Sequence, residues 1–356
     1  MLTPRLFFPR VWYQRHHPLG YALAPISRLF CMAVSARRFA YEKRLIATQH
    51  PGIPVIVVGN ITTGGTGKTP LIVWLANFLR RHGFYPAIMA RGYGGQADDW
   101  PQWVNANSDP SLVGDEAVLL ARRTSCRVVA APSRVAAAKM LVEQTDCNII
   151  LCDDGLQHYA LERDVEIAVV DEVLGIGNGR CLPAGPLREP VSRLAEVDFV
   201  ITHTRDRSAD FGEHGPSKHR VDTHGMTKHA MRLIPGEPME VAGGDAKSLD
   251  AFKKAPVHAV CGIGHPERFF EALRRLGLVI KPHAFPDHHV FQAEELTFGD
   301  GLRILMTEKD AVKCRRFADS RHWYLPVEAE LDPTFGARLL KALARLRLDV
   351  SGNEIF

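Results

Sequence analysis

The 356-residue sequence lacks features that would place it in several common classes of protein. It has no CxxC pair, and its seven cysteines are irregularly spaced, which predicts reduced, mostly buried thiols in a cytoplasmic protein. The N-terminus has no clean apolar run ending in a small-residue cleavage site, so no secretory signal is expected. With 46% hydrophobic and 24% charged residues, the composition is globular, and the length predicts about two domains.

The sequence also has little net charge, but that charge is unevenly distributed. The formal total is +4, while residues 1–50 alone contain eight basic residues and one acidic residue. This short segment therefore carries +7, and the remainder of the chain is slightly acidic. A total of +4 does not argue for nucleic acid, and we expect no nucleic-acid partner.

Residues 19–36 are mostly apolar and lie between aromatic and basic clusters. The run is about as long as the shortest spanning helix, but Pro25 and Arg28 interrupt it. We expect a helix in the cytoplasmic face of a membrane, with its cations on anionic lipid. A helix packed on the protein's own core is an even alternative, and a single span is a weaker one.

A glycine-rich turn, Gly59–Pro70, separates a predicted strand from a predicted helix over 71–81. This context is typical of a phosphate-binding loop, in which backbone N–H groups converge on phosphate oxygens. Lys68 would reach the β- and γ-phosphates, and the Thr69 hydroxyl would ligate Mg²⁺. Thr62 replaces the usual first glycine, and a purely structural turn is the alternative. The predicted nucleotide-binding residues are Asn60, Thr63, Gly64, Gly65, Thr66, Gly67, Lys68 and Thr69.

A second hydrophobic strand, from residue 148, ends in Asp153 and Asp154, as a metal site facing the phosphate loop requires. Surface turn aspartates are the alternative, and the sequence leaves open which carboxylate touches the metal. Strands and helices alternate, which predicts an α/β fold of the P-loop type. We expect a doubly wound, mainly parallel sheet, a smaller α/β lobe and an N-terminal membrane-associated helix. The predicted units are the segment 1–50, the core 51–204, the lobe 205–330 and a C-terminal helix in 331–356.

Ordered motifs from about residue 55 to 313 resemble those of the tetraacyldisaccharide 4′-kinase family, the lipid A 4′-kinases. Besides the phosphate loop they are RGYGG (91–95), GDE (114–116), DDGLQH (153–158), LPAGPLRE (182–189), GIG (262–264), PDHH (286–289) and TEKD (307–310). The resemblance implies transfer of the ATP γ-phosphoryl group to the 4′-hydroxyl of a tetraacylated glucosamine disaccharide 1-phosphate. It places this step at the cytoplasmic face of the bacterial inner membrane.

The resemblance also implies roles for individual residues. The family's Asp–His base falls on Asp115 and His288, with Lys68 as a third catalytic residue. The implied metal ligands are Thr69, Glu116, Asp153 and Asp154, and the implied substrate contacts are Tyr93, Arg134, Gln157, His158 and Arg188. Without the resemblance, Asp115 would be read as a helix N-terminal acid, His288 as part of a loop pair, and Arg188 as a surface partner of Glu189 or Glu196.

Two further interpretations complete the expectations. Residues 204–230, with His214, His219, His224 and His229, are predicted to form a solvated loop without metal. The alternative function is a membrane-associated regulatory ATPase of the partition or septum-site type, but Thr63 stands where those proteins have a signature lysine. We expect ATP and Mg²⁺ as cofactors, the lipid A disaccharide precursor and an anionic membrane surface as partners, and a monomer.

Overall fold

A computed structural model describes residues 11–14, 16–204 and 228–351. Within these ranges the strands form two sheets, one of nine strands and one of five. The strands are β1 (Val55–Gly59), β2 (Pro86–Ala90), β3 (Gln102–Val104), β4 (Arg127–Ala130), β5 (Ile149–Asp153), β6 (Val165–Asp171), β7 (Phe199–Thr204), β8 (Lys228–Pro235), β9 (Met239–Glu240), β10 (Val257–Cys261), β11 (Ile280–Ala284), β12 (Ile304–Thr307), β13 (His322–Leu325) and β14 (Val327–Leu331). The helices are α1 (Pro18–Ala22), α2 (Ala24–Glu42), α3 (Lys68–Arg81), α4 (Pro110–Val113), α5 (Asp115–Arg123), α6 (Arg134–Gln144), α7 (Pro266–Arg275), α8 (Glu308–Cys314) and α9 (Pro333–Ser351).

The larger sheet has the strand order β14-β8-β7-β6-β1-β5-β2-β4-β3. Its pairs are parallel except at the two edges, where β3 and β14 run antiparallel to their neighbours. Strands β1, β2 and β5 are buried along their whole length because helices cover both faces of the sheet. β5 and β6 flank β1 on opposite sides, so a crevice opens beyond the carboxyl end of β1.

Separate hydrophobic cores fill the two faces of this sheet. Side chains of α3, α5 and α9 pack on one face, and side chains of α6 and α2 pack on the other. This three-layer arrangement confirms the predicted doubly wound α/β class. In the C-terminal helix α9, Phe335, Leu339 and Leu343 are buried in the larger core.

The smaller lobe is built on the sheet β11-β10-β12-β13-β9. Its predicted limits, 205–330, need correction, because β8 and β14 pair with each other in the larger sheet. The strands of the smaller sheet run only from Met239 to Leu325. The two strands β8 and β14 thus connect the smaller lobe to the larger one.

The predicted histidine-bearing loop is only partly covered by the structure. His214, His219 and His224 lie outside the described residues. His229 does not lie in a solvated loop: it belongs to β8, is 2% exposed, and its Nδ1 lies 3.3 Å from Asp332 Oδ2. The alternation of strand residues places its ring among the aromatic side chains of the larger core.

The N-terminal segment packs through one side of α2. The Ser27 hydroxyl donates to the Cys181 carbonyl at 2.7 Å, and Cys31 forms a disulfide with Cys181. The prediction of reduced thiols was therefore wrong for these two cysteines, which join distant parts of the chain; the other five are free. Large apolar side chains on the remaining surface of α2 are exposed: Ile26, Leu29, Met32 and Phe39. Among the described residues, none of the helices combines the length and apolar character needed to cross a membrane.

Candidate active site

The turn after β1 has the backbone geometry of a phosphate-binding loop. It ends in Gly67, and α3 begins at Lys68. Gly64 and Gly67 adopt φ angles of 104° and 94°, which side chains with a Cβ rarely adopt. A Cβ on Gly67 would also lie only 3.1 Å from Met231 Cε. The buried Thr66 hydroxyl has no hydrogen-bond partner among the described residues, which suits a group that would bind a phosphate oxygen.

Asn60 organises this loop from within. Its Nδ2 donates to the Gly64 carbonyl at 3.2 Å and to the Thr62 hydroxyl at 3.4 Å. Its Oδ1 accepts from Lys68 Nζ at 3.0 Å. Asn60 is 0% exposed, so the loop and its lysine are held by a buried side chain. The Lys68 ammonium is thereby directed over the loop, where a phosphate charge would lie.

The carboxylates at the end of β5 face this lysine. Asp154, which has a φ of 50°, places Oδ1 3.3 Å from Lys68 Nζ. Both oxygens of Asp154 accept from Arg188 Nη1 at 3.1 Å. Burial alone would raise the pKa of Asp154, but the charges of Lys68 and Arg188 outweigh it and hold that pKa well below its usual value. Asp153 and Asp154 thus lie at the end of β5, opposite the lysine of the loop.

The neighbouring Asp153 has the opposite electrostatic setting. Burial and then the negative charge of Glu116 raise the pKa of Asp153 to about 7. Its Oδ1 is buried without a hydrogen-bond partner among the described residues. An unsatisfied carboxylate oxygen close to a second carboxylate fits a hard cation such as Mg²⁺. The described residues contain no cluster of three His, Cys, Asp or Glu that would hold a metal alone. Mg²⁺ in kinases takes one or two carboxylates and completes its shell with phosphate and water, so the residues present fit this ion.

Asp115 and His288 meet at the boundary between the two lobes. His288 Nδ1 lies 3.1 Å from Asp115 Oδ2, and the Glu116 N–H donates to Asp115 Oδ1 at 2.8 Å. Asp115 is 5% exposed. Burial opposes its ionisation, but the hydrogen bond from His288 and the charge of Lys309 lower the pKa of Asp115 below its usual value. Asp115 is therefore ionised and can accept a hydroxyl proton, but its lowered pKa makes it a weak base on its own.

The comparisons with known proteins agree with this geometry. Residues 19–344 match the family model described as tetraacyldisaccharide-1-P 4′-kinase (LpxK). A tetraacyldisaccharide 4′-kinase of Nitrosococcus oceani is 50% identical over 94% of this chain and 93% of the relative. The protein of that name from Alkalilimnicola ehrlichii is 46% identical over 95% and 97% of the two chains.

The chain belongs to the tetraacyldisaccharide 4′-kinase family. The likeness extends to a solved structure, that of LpxK from Aquifex aeolicus in complex with ATP. The TM-score is 0.76 at 26% identity, and the alignment covers 92% of this chain and 99% of the other. The chain is therefore a phosphotransferase that acts on a hydroxyl group, and the regulatory-ATPase alternative has no support.

Arg134, predicted from the kinase family's motifs to contact substrate, is placed differently by the structure. Only 2% of its surface is exposed, and its Nη atoms donate to the carbonyls of Ala90, Ala131 and Asp153. These bonds join the carboxyl ends of β2, β4 and β5. Arg134 thus holds the strand ends that carry the site, and its Nη atoms are already engaged by protein carbonyls.

The other predicted substrate residues surround the loop and the Asp115–His288 pair. Gln157 Nε2 donates to the Asn60 carbonyl at 3.2 Å and to Glu189 at 3.1 Å. Burial, followed by the charges of Arg134 and Arg91, lowers the pKa of His158 to about 4, so this imidazole is neutral at physiological pH. The exposed Tyr93 ring lies 4.7 Å from the His288 ring.

A cavity of about 380 Å³ adjoins the Asp115–His288 pair. Both residues line it, together with Tyr93 and polar or basic side chains from α4, α5 and α8. Two lysines of α8 also lie at the Asp115–His288 pair, and the sequence predicted no role for either of them. Lys309 Nζ lies 3.2 Å from both Glu116 Oε1 and His288 Nε2, and Lys313 Nζ lies 4.0 Å from Asp115 Oδ2. The only signal for Lys309 was its place in the TEKD motif of the kinase family.

Proposed function

We propose that this protein transfers the γ-phosphoryl group of ATP to the 4′-hydroxyl of a tetraacylated glucosamine disaccharide 1-phosphate, in the synthesis of lipid A. The observation that carries the proposal is the hydrogen bond between Asp115 and His288 at the edge of a cavity, in a chain whose β1 is followed by a phosphate-loop turn. Membership of the kinase family supplies the reaction class and the acceptor.

The nucleotide is bound by the loop and by the residues that face it. Backbone N–H groups from Gly64 to Thr69 and the Lys68 ammonium would surround the phosphates of ATP, while the Thr63 N–H donates to the Pro186 carbonyl at 2.9 Å. Thr69, Asp153, Asp154 and Glu116 would hold Mg²⁺, which would supply neutralisation of phosphate charge. Arg188, already paired with Asp154, adds a planar cation at the edge of the same site.

The acceptor hydroxyl is activated by a pair that joins the two lobes, Asp115 of the larger lobe and His288 of the smaller one. Its oxygen forms a bond to the γ-phosphorus while the bond from that phosphorus to the β–γ bridging oxygen breaks, so that ADP leaves. The hydroxyl proton passes to Asp115, whose ionised carboxylate is held in place by His288 and the Glu116 N–H. Tyr93, Gln157 and His158 line the approach to the loop, where the sugar would bind.

The acceptor carries acyl chains, so the enzyme must work at a lipid surface. We place it at the cytoplasmic face of the inner membrane, bound through the basic segment 1–50. The exposed apolar side chains of α2 support this docking, since they lie on the same segment as the +7 charge.

Acceptor-dependent ATP turnover tests this proposal. Purified protein with Mg-ATP should release ADP at a substantial rate only when detergent-dispersed tetraacyldisaccharide 1-phosphate is present. One phosphate should appear on the lipid for each ADP. A regulatory ATPase would instead hydrolyse ATP with anionic vesicles and no acceptor. ADP release that ignores the acceptor would contradict the kinase function.

A further inference from the structure

Lys309 lies on the side of His288 that faces away from Asp115. Its Nζ is 3.2 Å from His288 Nε2 and 3.2 Å from Glu116 Oε1, and it is 3.7 Å from Asp287 Oδ1. Lys309 belongs to α8 of the smaller lobe, while Glu116 belongs to α5 of the larger one. The side chain is only 18% exposed. Lys309 thus joins the two lobes at the ring of the proposed proton-accepting pair.

The charge of Lys309 decides which nitrogen of His288 carries the ring proton. An ammonium group has three donors and no acceptor, so a hydrogen bond to Nε2 requires that Nε2 carry no proton. Lys309 is such a cation, and carboxylate oxygens lie close to its Nζ: Glu116 Oε1 at 3.2 Å and Asp287 Oδ1 at 3.7 Å. A proton on Nε2 would face this cation at 3.2 Å. The neutral ring must then carry its proton on Nδ1, which faces Asp115 Oδ2.

Asp287 makes this arrangement depend on Lys309. Its Oδ1 lies 3.8 Å from His288 Nε2, so a small movement would let it accept a proton from that nitrogen. His288 therefore has two possible carboxylate partners, Asp115 at Nδ1 and Asp287 near Nε2. Lys309 Nζ lies 3.7 Å from Asp287 Oδ1 and already donates to His288 Nε2. The N–H of the ring is then at Nδ1, and its partner is Asp115.

We propose that Lys309 is a positioning residue that fixes His288 in the Nδ1–H tautomer, so that the imidazole donates to Asp115 and leaves Asp115 as the group that meets the acceptor hydroxyl. The assignment deepens the proposed kinase function and rests on it for its catalytic meaning. The tautomer itself is a property of the protein alone and can be measured without substrate.

The first measurement is the ¹⁵N spectrum of histidine-labelled, full-length protein, with His288 assigned through a His288→Gln variant. Wild-type His288 should show a protonated Nδ1 and an unprotonated Nε2. Lys309→Met should move the ring towards the Nε2–H form or the doubly protonated form, because Asp287 then becomes its partner. Lys309→Arg, which retains donors, should keep the wild-type pattern. Lys313→Met is the matched control, since Lys313 has no contact with His288, and it should keep that pattern too.

The second measurement separates positioning from nucleotide binding. Lys309→Met should lower kcat by about 10–100-fold, the usual cost of losing a residue that orients a functional histidine. The KM for ATP should change much less than kcat, because Lys309 reaches the nucleotide site only through Glu116. Lys309→Arg should recover a large part of kcat.

An Nε2–H ring in the wild-type protein would overturn the assignment whether or not any variant folds. An unchanged tautomer in Lys309→Met would do the same, as would an equal shift in Lys313→Met. If the wild-type protein phosphorylated no lipid while its His288 showed the Nδ1–H form, the kinase proposal would fail and the tautomer assignment would stand.

Discussion

Arg268 and Asp171 form an ion pair that joins the two lobes. Arg268 Nη1 lies 2.8 Å from Asp171 Oδ2, and Nη2 lies 3.1 Å from Oδ1. Arg268 belongs to α7 of the smaller lobe, and Asp171 is the last residue of β6 in the larger sheet. Asp171 is 2% exposed and also accepts backbone N–H bonds from Val173 and Leu174. The pair therefore joins α7 to the carboxyl ends of the strands in the larger sheet, where the phosphate loop also lies.

Replacement of Arg268 by Met should lower the free energy of unfolding by about 1.5–3 kcal/mol, the range for hydrogen bonds to charged groups. A double-mutant cycle with Asp171→Asn, followed by urea denaturation, measures the pairwise part. Arg274→Met is a matched control on the same helix, because Arg274 is exposed and its contact with Glu267 is 3.9 Å long. It should change the free energy of unfolding by less than about 0.5 kcal/mol. An equal loss in both variants would show that the effect belongs to the helix and not to the pair.

The coupling energy between Arg268 and Asp171 should fall only at low pH. Burial opposes ionisation of Asp171, but the His203 imidazole 3.6 Å away, the hydrogen bond from the Leu174 N–H and the charge of Arg268 lower its pKa well below the usual value. A carboxyl whose pKa is lowered on folding stabilises the protein above its unfolded pKa of about 3.9 and loses that contribution as the pH falls. The coupling energy should be constant from pH 8 to pH 5 and should decrease below about pH 4. A coupling that already disappears between pH 8 and pH 6 would contradict this account.

Gly67→Ala should destabilise the protein even without nucleotide. Ala would have to adopt a φ of 94°, and its Cβ would lie 3.1 Å from Met231 Cε. A left-handed backbone costs a residue with a Cβ about 1–2 kcal/mol, and ATP affinity should fall because the loop must distort. Gly65→Ala is the control for stability: no atom lies within 4 Å of its Cβ position. Nucleotide-free urea unfolding should separate the two variants, and equal destabilisation would show that the loop geometry is not the cause.

The exposed face of α2 should carry much of the membrane affinity. Leu29 and Met32 are each 66% exposed, and replacement of either by Glu should weaken binding to anionic vesicles about tenfold, since burial of such a side chain contributes about 1.5–3 kcal/mol. Val279→Glu is the matched control, because Val279 is 61% exposed on the smaller lobe. Vesicle sedimentation with phosphatidylglycerol-rich membranes measures the difference. Equal weakening by Val279→Glu would argue against a specific role of α2. Deletion of residues 1–45 should weaken binding to vesicles more than it weakens binding of ATP.

Much of the fold could be predicted because its signals are local. The uninterrupted apolar residues of β1 and β5 predicted buried parallel strands, and Ser133 predicted the start of α6, where its side chain accepts from the Ala136 N–H. The phosphate loop was found for the same reason: its glycines and its lysine are neighbours in the chain.

The errors concern partners that are distant in the sequence. Cys31 pairs with Cys181 across 150 residues, and β8 pairs with β14, which no local pattern indicates. Arg134 was expected at a phosphate because its charge suits one, but three strand-end carbonyls surround it instead. Lys309 acquires its position only when the two lobes meet. Periodicity and spacing do not predict contacts of this kind.

Transfer of radiolabel from [γ-³²P]ATP to tetraacyldisaccharide 1-phosphate tests the central claim most directly. The wild-type protein should label the lipid, and NMR of the product should place the new phosphate on the 4′ oxygen. Asp115→Ala should lower the labelling rate by about 100-fold or more, the usual contribution of a general base, while ATP binding changes little. An unlabelled lipid with the wild-type protein, or a loss of ATP binding in Asp115→Ala as large as the loss of transfer, would contradict the account.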